Sequence, residues 1–224
     1  MEKMAESGLV LLINKPFQWT SFDVVNKLRY RLKIKKIGHA GTLDPLATGL
    51  LIVCTGKMTK RIEEFMGLEK EYTGKFVLGK STPSHDLETA VHEEKDISGV
   101  TAAEIYQAAM SLTGNLQQLP PVHSAIKVGG KRAYQFARKG QNVVLKARDV
   151  EVSAFEITHI RLPEASFRIV CSKGTYIRSI ARDFGEALGV GAYLTDLCRT
   201  RIGNFRLEDA KTIDEIEPQV GEEK

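Results

Sequence analysis

The sequence predicts one mixed α/β domain, with strands and helices interspersed too irregularly for a repeating βαβ array. Three observations carry this. Short apolar runs of strand length, at residues 8–14 (GLVLLIN) and 50–55, stand beside an alternating segment at 71–78. Other segments place apolar residues at helical spacing. The 224 residues, 42% hydrophobic and 27% charged, match an ordinary globular chain long enough to bury a substantial core. No internal repeat and no linker is visible.

Residues 8–14 read as a buried strand that Lys15-Pro16 ends. Ser21 is suited to cap a helix over 22–33, with Phe22, Val25, Leu28 and Leu32 on its inner face. Residues 38–49 form a turn-rich loop, 50–55 a central strand, and 58–66 a short helix. In 71–78 the alternation puts Tyr72, Gly74, Phe76 and Leu78 on one face. Thr101-Ala-Ala-Glu104 is a capping box that opens a helix to about 112. A proline-containing loop at 118–127 leads into a strand, with a turn at Gly129-Gly130. Residues 150–160 and 166–171 read as a strand pair. Residues 174–188 read as a helix with Ile177, Ile180, Ala181, Phe184 and Leu188 inward.

The charge is unevenly spread. Residues 24–61 hold nine basic residues and one acid, Asp44, and 105–148 hold seven basic residues and no acid. Between them, 63–104 has ten acids against four bases, and 207–224 has seven against two. Two basic blocks suit a surface that meets a polyanion, nucleic acid being the usual one, although lysines solvated on helix faces give the same pattern. No apolar run is long enough for a membrane span, and the first dozen residues are neither a secretory signal nor an Arg-rich transit peptide. The expected location is the cytoplasm. Three cysteines without a CxxC pair speak against a disulfide framework or a zinc site.

Three segments can carry chemistry. In GHAGTLDPLATG (38–49), Asp44 is a lone carboxylate in a glycine-rich loop, and Pro45 restricts it to extended backbone, which aims the side chain. A turn-capping role for the same Asp-Pro is the plainer alternative. In CSKGTYIRSI (171–180), a strand passes through Gly174 into a helix. Amides at that helix start, with Lys173 beside them, suit a phosphate, and Arg178 suits a carboxylate, whose ionised form such a pair favours. A surface arginine beside a core tyrosine, Tyr176, is the competing account. In LPPVHSAIK (119–127) and GGKRAY (129–134), basic and aromatic residues interleave, as suits backbone contact with base stacking; Lys127 is one of the cations. No second histidine lies at metal-ligand spacing from His123, so no metal is assigned. There is no P-loop, GxGxxG or nucleophile-elbow serine.

Together these segments resemble the TruB family of tRNA pseudouridine synthases, which modify uridine 55 in the T-loop. The matching stretches are Asn14-Lys15-Pro16 with Thr20-Ser21-Phe22, then GHAGTLDPLATGLL, Lys70-Glu71-Tyr72, PPVHSAIKVGGKRAY and CSKGTYIRS, spread over residues 9–206. The resemblance implies the α+β pseudouridine synthase fold, a mixed, largely antiparallel sheet flanked by helices. It implies Asp44 as the catalytic aspartate, Tyr72 as the tyrosine that stacks on the target base and helps move the C5 proton, and Arg178 as the ion-pair partner of Asp44. His39 matches the loop histidine associated with the everted T-loop, and Leu197 an apolar pocket wall; Tyr176, Lys127 and Lys173 join the substrate-binding set. Lys15 and Pro16 match a motif that braces the catalytic loop.

Two departures stand out. After Gly79 the family often shows Thr-Asp-Thr-x-x-Asp, whereas here Ser81-Thr82-Pro83-Ser84-His85-Asp86 keeps only the final acid. Many members also carry a C-terminal PUA domain; here residues 1–206 are expected to be the catalytic domain and 207–224 a short acidic tail, so the basic blocks of the core must supply RNA affinity. The reaction breaks N1–C1′ and joins C5 to C1′, with nothing oxidised and no group lost, so no cofactor or metal is expected. The carboxylate can attack C1′ or C6 or remove the 2′ proton, and the sequence leaves the three routes open. The expected partner is the T-arm of tRNA, with the enzyme a monomer without an obligate protein partner and without a membrane.

Overall fold

The structure, a computed structural model, describes residues 8–217 apart from 125, 129, 138–140 and 142–143. In chain order the strands and helices are β1 (Val10–Lys15), α1 (Ser21–Leu32), β2 (Ile37–Ala40), β3 (Thr48–Thr55), a 3-10 turn (Gly56–Arg61), α2 (Ile62–Gly67) and β4 (Lys70–Leu78). There follow β5 (Lys80–Ser81), β6 (Glu93–Glu94), α3 (Ala102–Ser111), β7 (Gly114–Gln118), β8 (Lys127–Val128), β9 (Lys131–Arg132) and α4 (Ala133–Ala137). The last are β10 (Arg148–Arg161), β11 (Glu164–Cys171), α5 (Ile177–Ala187), β12 (Ala192–Ile202), β13 (Phe205–Arg206) and a 3-10 turn (Leu207–Asp209). The chain divides into two compact units. Unit one holds residues 1–72 and 197–224, and unit two holds 73–196, so β4 and β12 each begin in one unit and end in the other.

In unit one, β3 pairs antiparallel with β1 (Val10 opposite Cys54) and with β2 (Ile37 opposite Thr55), and parallel with β12 at Cys198–Thr48 and Arg199–Gly49. The continuous apolar run of β3 follows from its position: it buries both faces. Leu51 and Val53 pack with Ile13, Val24 and Leu28, whereas Leu50, Ile52 and Cys54 pack with Ala40, Phe65 and Ile202. Ile213 and Ile216 complete the first cluster, so the expected acidic tail contributes core residues before residue 218, beyond which it lies outside the described residues.

Helix α1 starts one residue earlier than the sequence suggests. Thr20 is the cap and forms a capping box with Asp23, which frees the Ser21 hydroxyl for another bond. Val24, Val25 and Leu28 are buried as a helical stripe requires, but Phe22 is 61% exposed and lies off that stripe. The expected loop at 38–49 is shorter, since β2 and the start of β3 occupy both its ends.

In unit two the order is β4-β11-β10-β7, with β10 antiparallel to both β11 and β7. Tyr72, Phe76 and Leu78 of β4 are buried, as the alternation predicts. Phe76, Phe155, Phe167 and Phe184 form an aromatic cluster with ring centroids 4.2 to 6.4 Å apart, in offset and edge-on geometries that favour such contacts. The α3 capping box forms at Thr101 and Glu104. Helix α5 begins at Ile177 and buries Ile177, Ile180, Ala181 and Phe184. Among the described residues, no helix is long and apolar enough to cross a membrane.

Candidate active site

In unit one, residues 41–47 form the loop that carries Asp44, half-buried at its centre. Three side chains fix that loop through its backbone. Ser21 accepts from the Leu43 N–H at 2.9 Å and donates to the Leu43 carbonyl at 3.2 Å, the work its hydroxyl does in place of capping α1. Lys15, 0% exposed, donates from Nζ to the carbonyls of Pro16, Trp19 and Pro45 at 2.9, 2.6 and 3.3 Å. Arg199, 1% exposed, donates from Nε to the Leu50 carbonyl at 2.8 Å and from Nη2 to the Gly41 carbonyl at 3.2 Å. Thr48 Oγ1 donates to the Leu197 carbonyl at 3.5 Å, the limit of such a bond, which puts Leu197 at the end of the loop.

Glycine is required where β3 begins. At Gly49 (φ 102°) a Cβ would collide with the Arg199 carbonyl oxygen, so a side chain would push β12 and its buried arginine away.

The two buried cations shape the electrostatics. Burial pushes Lys15 down to about 8, with Asp44 opposing the shift and Arg199 adding to it. His39 on β2 is lowered, first by burial and then by Arg199, with a hydrogen bond to the Gly41 backbone opposing the shift, and it therefore favours its neutral form. Tyr72 lies at the end of unit one with 9% of its surface exposed.

In unit two, Arg178 stands in the first turn of α5, as the sequence suggests. Its Nη2 donates to the His123 carbonyl at 3.0 Å and its Nη1 to the Ser84 carbonyl at 3.4 Å, while Nε lies 3.5 Å from Asp86. Both side chains of that pair are buried, at 4% and 8% exposure. Asp86, the one acid kept in the altered loop after Gly79, is thus an ion-pair partner of the arginine. Before α5, the Gln118 amide accepts from the Tyr176 N–H at 2.8 Å and donates to the Tyr176 carbonyl at 3.1 Å. Arg148 donates to the Gly174 carbonyl and lies 4.4 Å from the centre of the Tyr176 ring. Lys173 is exposed in the turn they hold. Lys127 is in the β8–β9 hairpin, and its side chain falls outside the described residues.

The sequence points to Asp44, His39, Leu197, Tyr72, Tyr176, Lys173 and Arg178 but not to three groups that hold their backbones: Ser21, Gln118 and Arg199. A signal exists for Arg199. Period two from Leu197 puts it on the inward face, and a charged residue at an inward position needs internal partners.

A largely antiparallel sheet flanked by helices, with an aspartate on a braced loop, defines the pseudouridine synthase fold. A chain of a solved Cbf5-Nop10-Gar1 complex matches it with a TM-score of 0.74 at 30% identity, covering 96% of this chain and 54% of that one. A structure of an H/ACA RNP bound to a substrate RNA containing 2'-deoxyuridine matches with a TM-score of 0.71 at 27% identity, over the same shares. This chain therefore spans about half the length of those solved chains. The family model for the N-terminal domain of TruB family pseudouridylate synthase matches residues 29–177, and that for the tRNA pseudouridylate synthase B C-terminal domain matches 178–224. The chain belongs to the TruB family. It is 52% identical to tRNA pseudouridine synthase B of Phocaeicola vulgatus over 93% of this chain and 92% of that one. It is 50% identical to the enzyme of the same name from Flavobacterium johnsoniae over 91% and 92%.

Proposed function

We propose that this chain isomerises uridine to pseudouridine at position 55 in the T-loop of tRNA, with Asp44 as the reacting carboxylate. The observation that carries the reading is the bracing of the Asp44 loop. Two fully buried cations and a buried hydroxyl hold its backbone at Gly41, Leu43 and Pro45, leaving a half-buried carboxylate aimed by its frame. Such preorganisation is what a reaction run by one positioned group requires.

The reaction balances without an oxidant, reductant or cofactor. The N1–C1′ bond breaks, the uracil turns, a C5–C1′ bond forms, and the proton lost from C5 is matched by one gained at N1. The target nucleotide first leaves its stack, at a cost of a few kcal/mol that favours a loop over a duplex. Tyr72 then lies along the flipped base and Leu197 walls the pocket. His39 and Tyr176 hold the everted loop, and Lys127 and Lys173 take flanking phosphates. Arg178 is the cation that the TruB resemblance assigns to the reacting carboxylate, whose ionised form a guanidinium favours. Residues 1–206 form the catalytic body, and the enzyme acts in the cytoplasm as a monomer without an obligate protein partner. A chain about 50% identical to two tRNA pseudouridine synthases B over nine-tenths of its length supports the tRNA substrate.

Tritium release from C5-labelled unmodified tRNA tests the reading. The wild-type protein is expected to release tritium and Asp44→Asn none, while Asp44→Asn still binds tRNA. Release by Asp44→Asn, or modification mapped to another position, would refute the assignment. Sedimentation at working concentration tests the monomer.

A further inference from the structure

We propose that the exposed end of α1 and the turns beside it form a second RNA subsite, which grips the tRNA backbone away from the reacting uridine. The inference rests on the tRNA reading above and deepens it. Residues 27–36 carry Lys27, Arg29, Arg31, Lys33, Lys35 and Lys36 without one acid. Lys27, Lys33, Lys35 and Lys36 are exposed, and none has a carboxylate partner among the described residues. Lys75, Lys80 and Lys95 differ, since they face Glu164, Glu94 and Glu93 at 3.4, 3.1 and 3.7 Å. The two arginines of the segment are engaged, Arg29 with the Asn26 side chain and Arg31 with Asp214 and the Ile216 carbonyl.

The cations come from separate elements that the fold brings together. Lys33, in left-handed backbone (φ 53°), ends α1, and the Ile34 N–H turns back to the Arg29 carbonyl at 3.2 Å. The Gly56 N–H donates to the Lys36 carbonyl at 2.8 Å, which brings the 3-10 turn bearing exposed Lys60 beside Lys36. Favourable interaction with the α1 dipole accounts for a cation or two in its last turn, not for Lys35, Lys36 and Lys60 beyond it. Among these cations stands Tyr30, 85% exposed, a ring left open by the described residues. Basic groups along a backbone track with an aromatic face between them are the parts of a nucleic-acid contact, in which base stacking on a ring is worth about 1–3 kcal/mol.

The position fits a substrate that also reaches Asp44. β3 runs from the Asp44 loop at Thr48 to the cationic edge at Thr55, where Ile37 pairs with it. Seven residues of strand span about 23 Å, close to seven steps of a nucleic-acid strand. The reacting nucleotide cannot fill both places, but one tRNA can.

The test is the salt dependence of binding of unmodified tRNA to the full chain, read by fluorescence anisotropy. Lys33→Gln/Lys35→Gln/Lys36→Gln is expected to raise Kd at least tenfold and to lower the log–log salt slope by about 2 to 3, close to one for each phosphate left without its lysine. A charge-matched control, Lys75→Gln/Lys80→Gln/Lys95→Gln, should leave Kd within about twofold. Tyr30→Ala should weaken binding severalfold with the slope unchanged, since it removes a stack and no charge. Thermal melts confirm that each variant is folded. Equal weakening by the two triple variants would reduce the effect to bulk charge and overturn the subsite. So would an unchanged slope in the first triple, or an unchanged Kd in Tyr30→Ala. If the wild-type protein binds tRNA but releases no tritium from C5-labelled tRNA, the reaction assignment fails, while the slopes still decide the subsite.

Discussion

The Lys15 ammonium lies 3.3 Å from the carbonyl oxygen of Pro45, the residue after Asp44, and makes two further bonds to the Pro16 and Trp19 carbonyls. A charged Nζ supplies three donors and a neutral one only two. Burial sets the folded pKa to about 8, so the proton leaves as pH rises through that value. The rate of the bound complex should therefore fall through a single-proton step near pH 8. Lys15→Met should lack that step and should react roughly tenfold or more slowly at pH 7, the loss of about one charge-assisted hydrogen bond at the loop. Stability moves the other way. An unfolded lysine keeps its proton to about 10.5, so between pH 8 and 10.5 the unfolded state binds more protons and the contribution of Lys15 to stability rises with pH. Rate profiles and denaturation midpoints of both proteins across pH 7–10 check the two signs together. A loss of rate that tracks unfolding would sink the argument.

Arg199 joins β3 to the loop with one planar group, Nε on Leu50 and Nη2 on Gly41. A lysine ends in a compact point donor and lacks the planar fork that reaches the Leu50 and Gly41 carbonyls together. Arg199→Lys should lose about 1–3 kcal/mol of stability, the cost of leaving a buried acceptor unpaired, and should slow single-turnover pseudouridine formation at least tenfold. Urea midpoints and single-turnover rates measure the two. A variant with full stability and full rate would show that the loop needs no support from β12.

How much of this is legible in the sequence depends on how local the cause is. The capping box at Thr101 and Glu104 and the alternation of Tyr72, Phe76 and Leu78 are set by near neighbours, and both are present as expected. The choice of α1 cap is a contest between the adjacent hydroxyls of Thr20 and Ser21, and it is decided by Leu43, 22 residues away. Phe22 reads as core because helical spacing alone does not say where a stripe is centred. β12 escapes the pattern because Asp196, Arg199 and Arg201 interrupt its apolar run, and its arginine is tolerated only through carbonyls distant in sequence. The Asp44 loop is legible as a motif. Its bracing is not, since each brace is a long-range contact.

Arg178 meets Asp86 at 3.5 Å inside unit two, with both side chains nearly closed off from water. Removing one partner of a buried pair is expected to cost more than the pair contributes, because the other charge is left desolvated. Asp86→Asn should destabilise the protein by about 3 kcal/mol or more. Arg178→Lys should lose the planar fork that reaches Asp86, Ser84 and His123 together, leaving severely impaired turnover with tRNA affinity retained. Thermal melts, Kd and single-turnover rates separate these outcomes. Near-wild-type turnover by Arg178→Lys would remove the planar fork from the account.

His85 is a non-glycine residue in left-handed backbone (φ 59°), held there by its own N–H to the Thr82 carbonyl and by the Leu194 N–H to its carbonyl, each at 3.0 Å. Asparagine adopts this conformation readily and a β-branched residue does not. His85→Val should therefore lose about 1–3 kcal/mol and His85→Asn little. Its imidazole adds a pH effect. Burial first, and then Arg182, Arg178, His123 and His92, push its pKa down to about 4. The unfolded histidine takes up a proton near 6.5 while the folded one does not, so stability should fall as pH drops from 6.5 toward 4, by up to about 3 kcal/mol from this group. His85→Asn removes that titration and should flatten the acid limb of the stability curve, as urea midpoints from pH 4 to 7 would register. Identical acid limbs in the two proteins would mean that the imidazole titrates freely in the folded state.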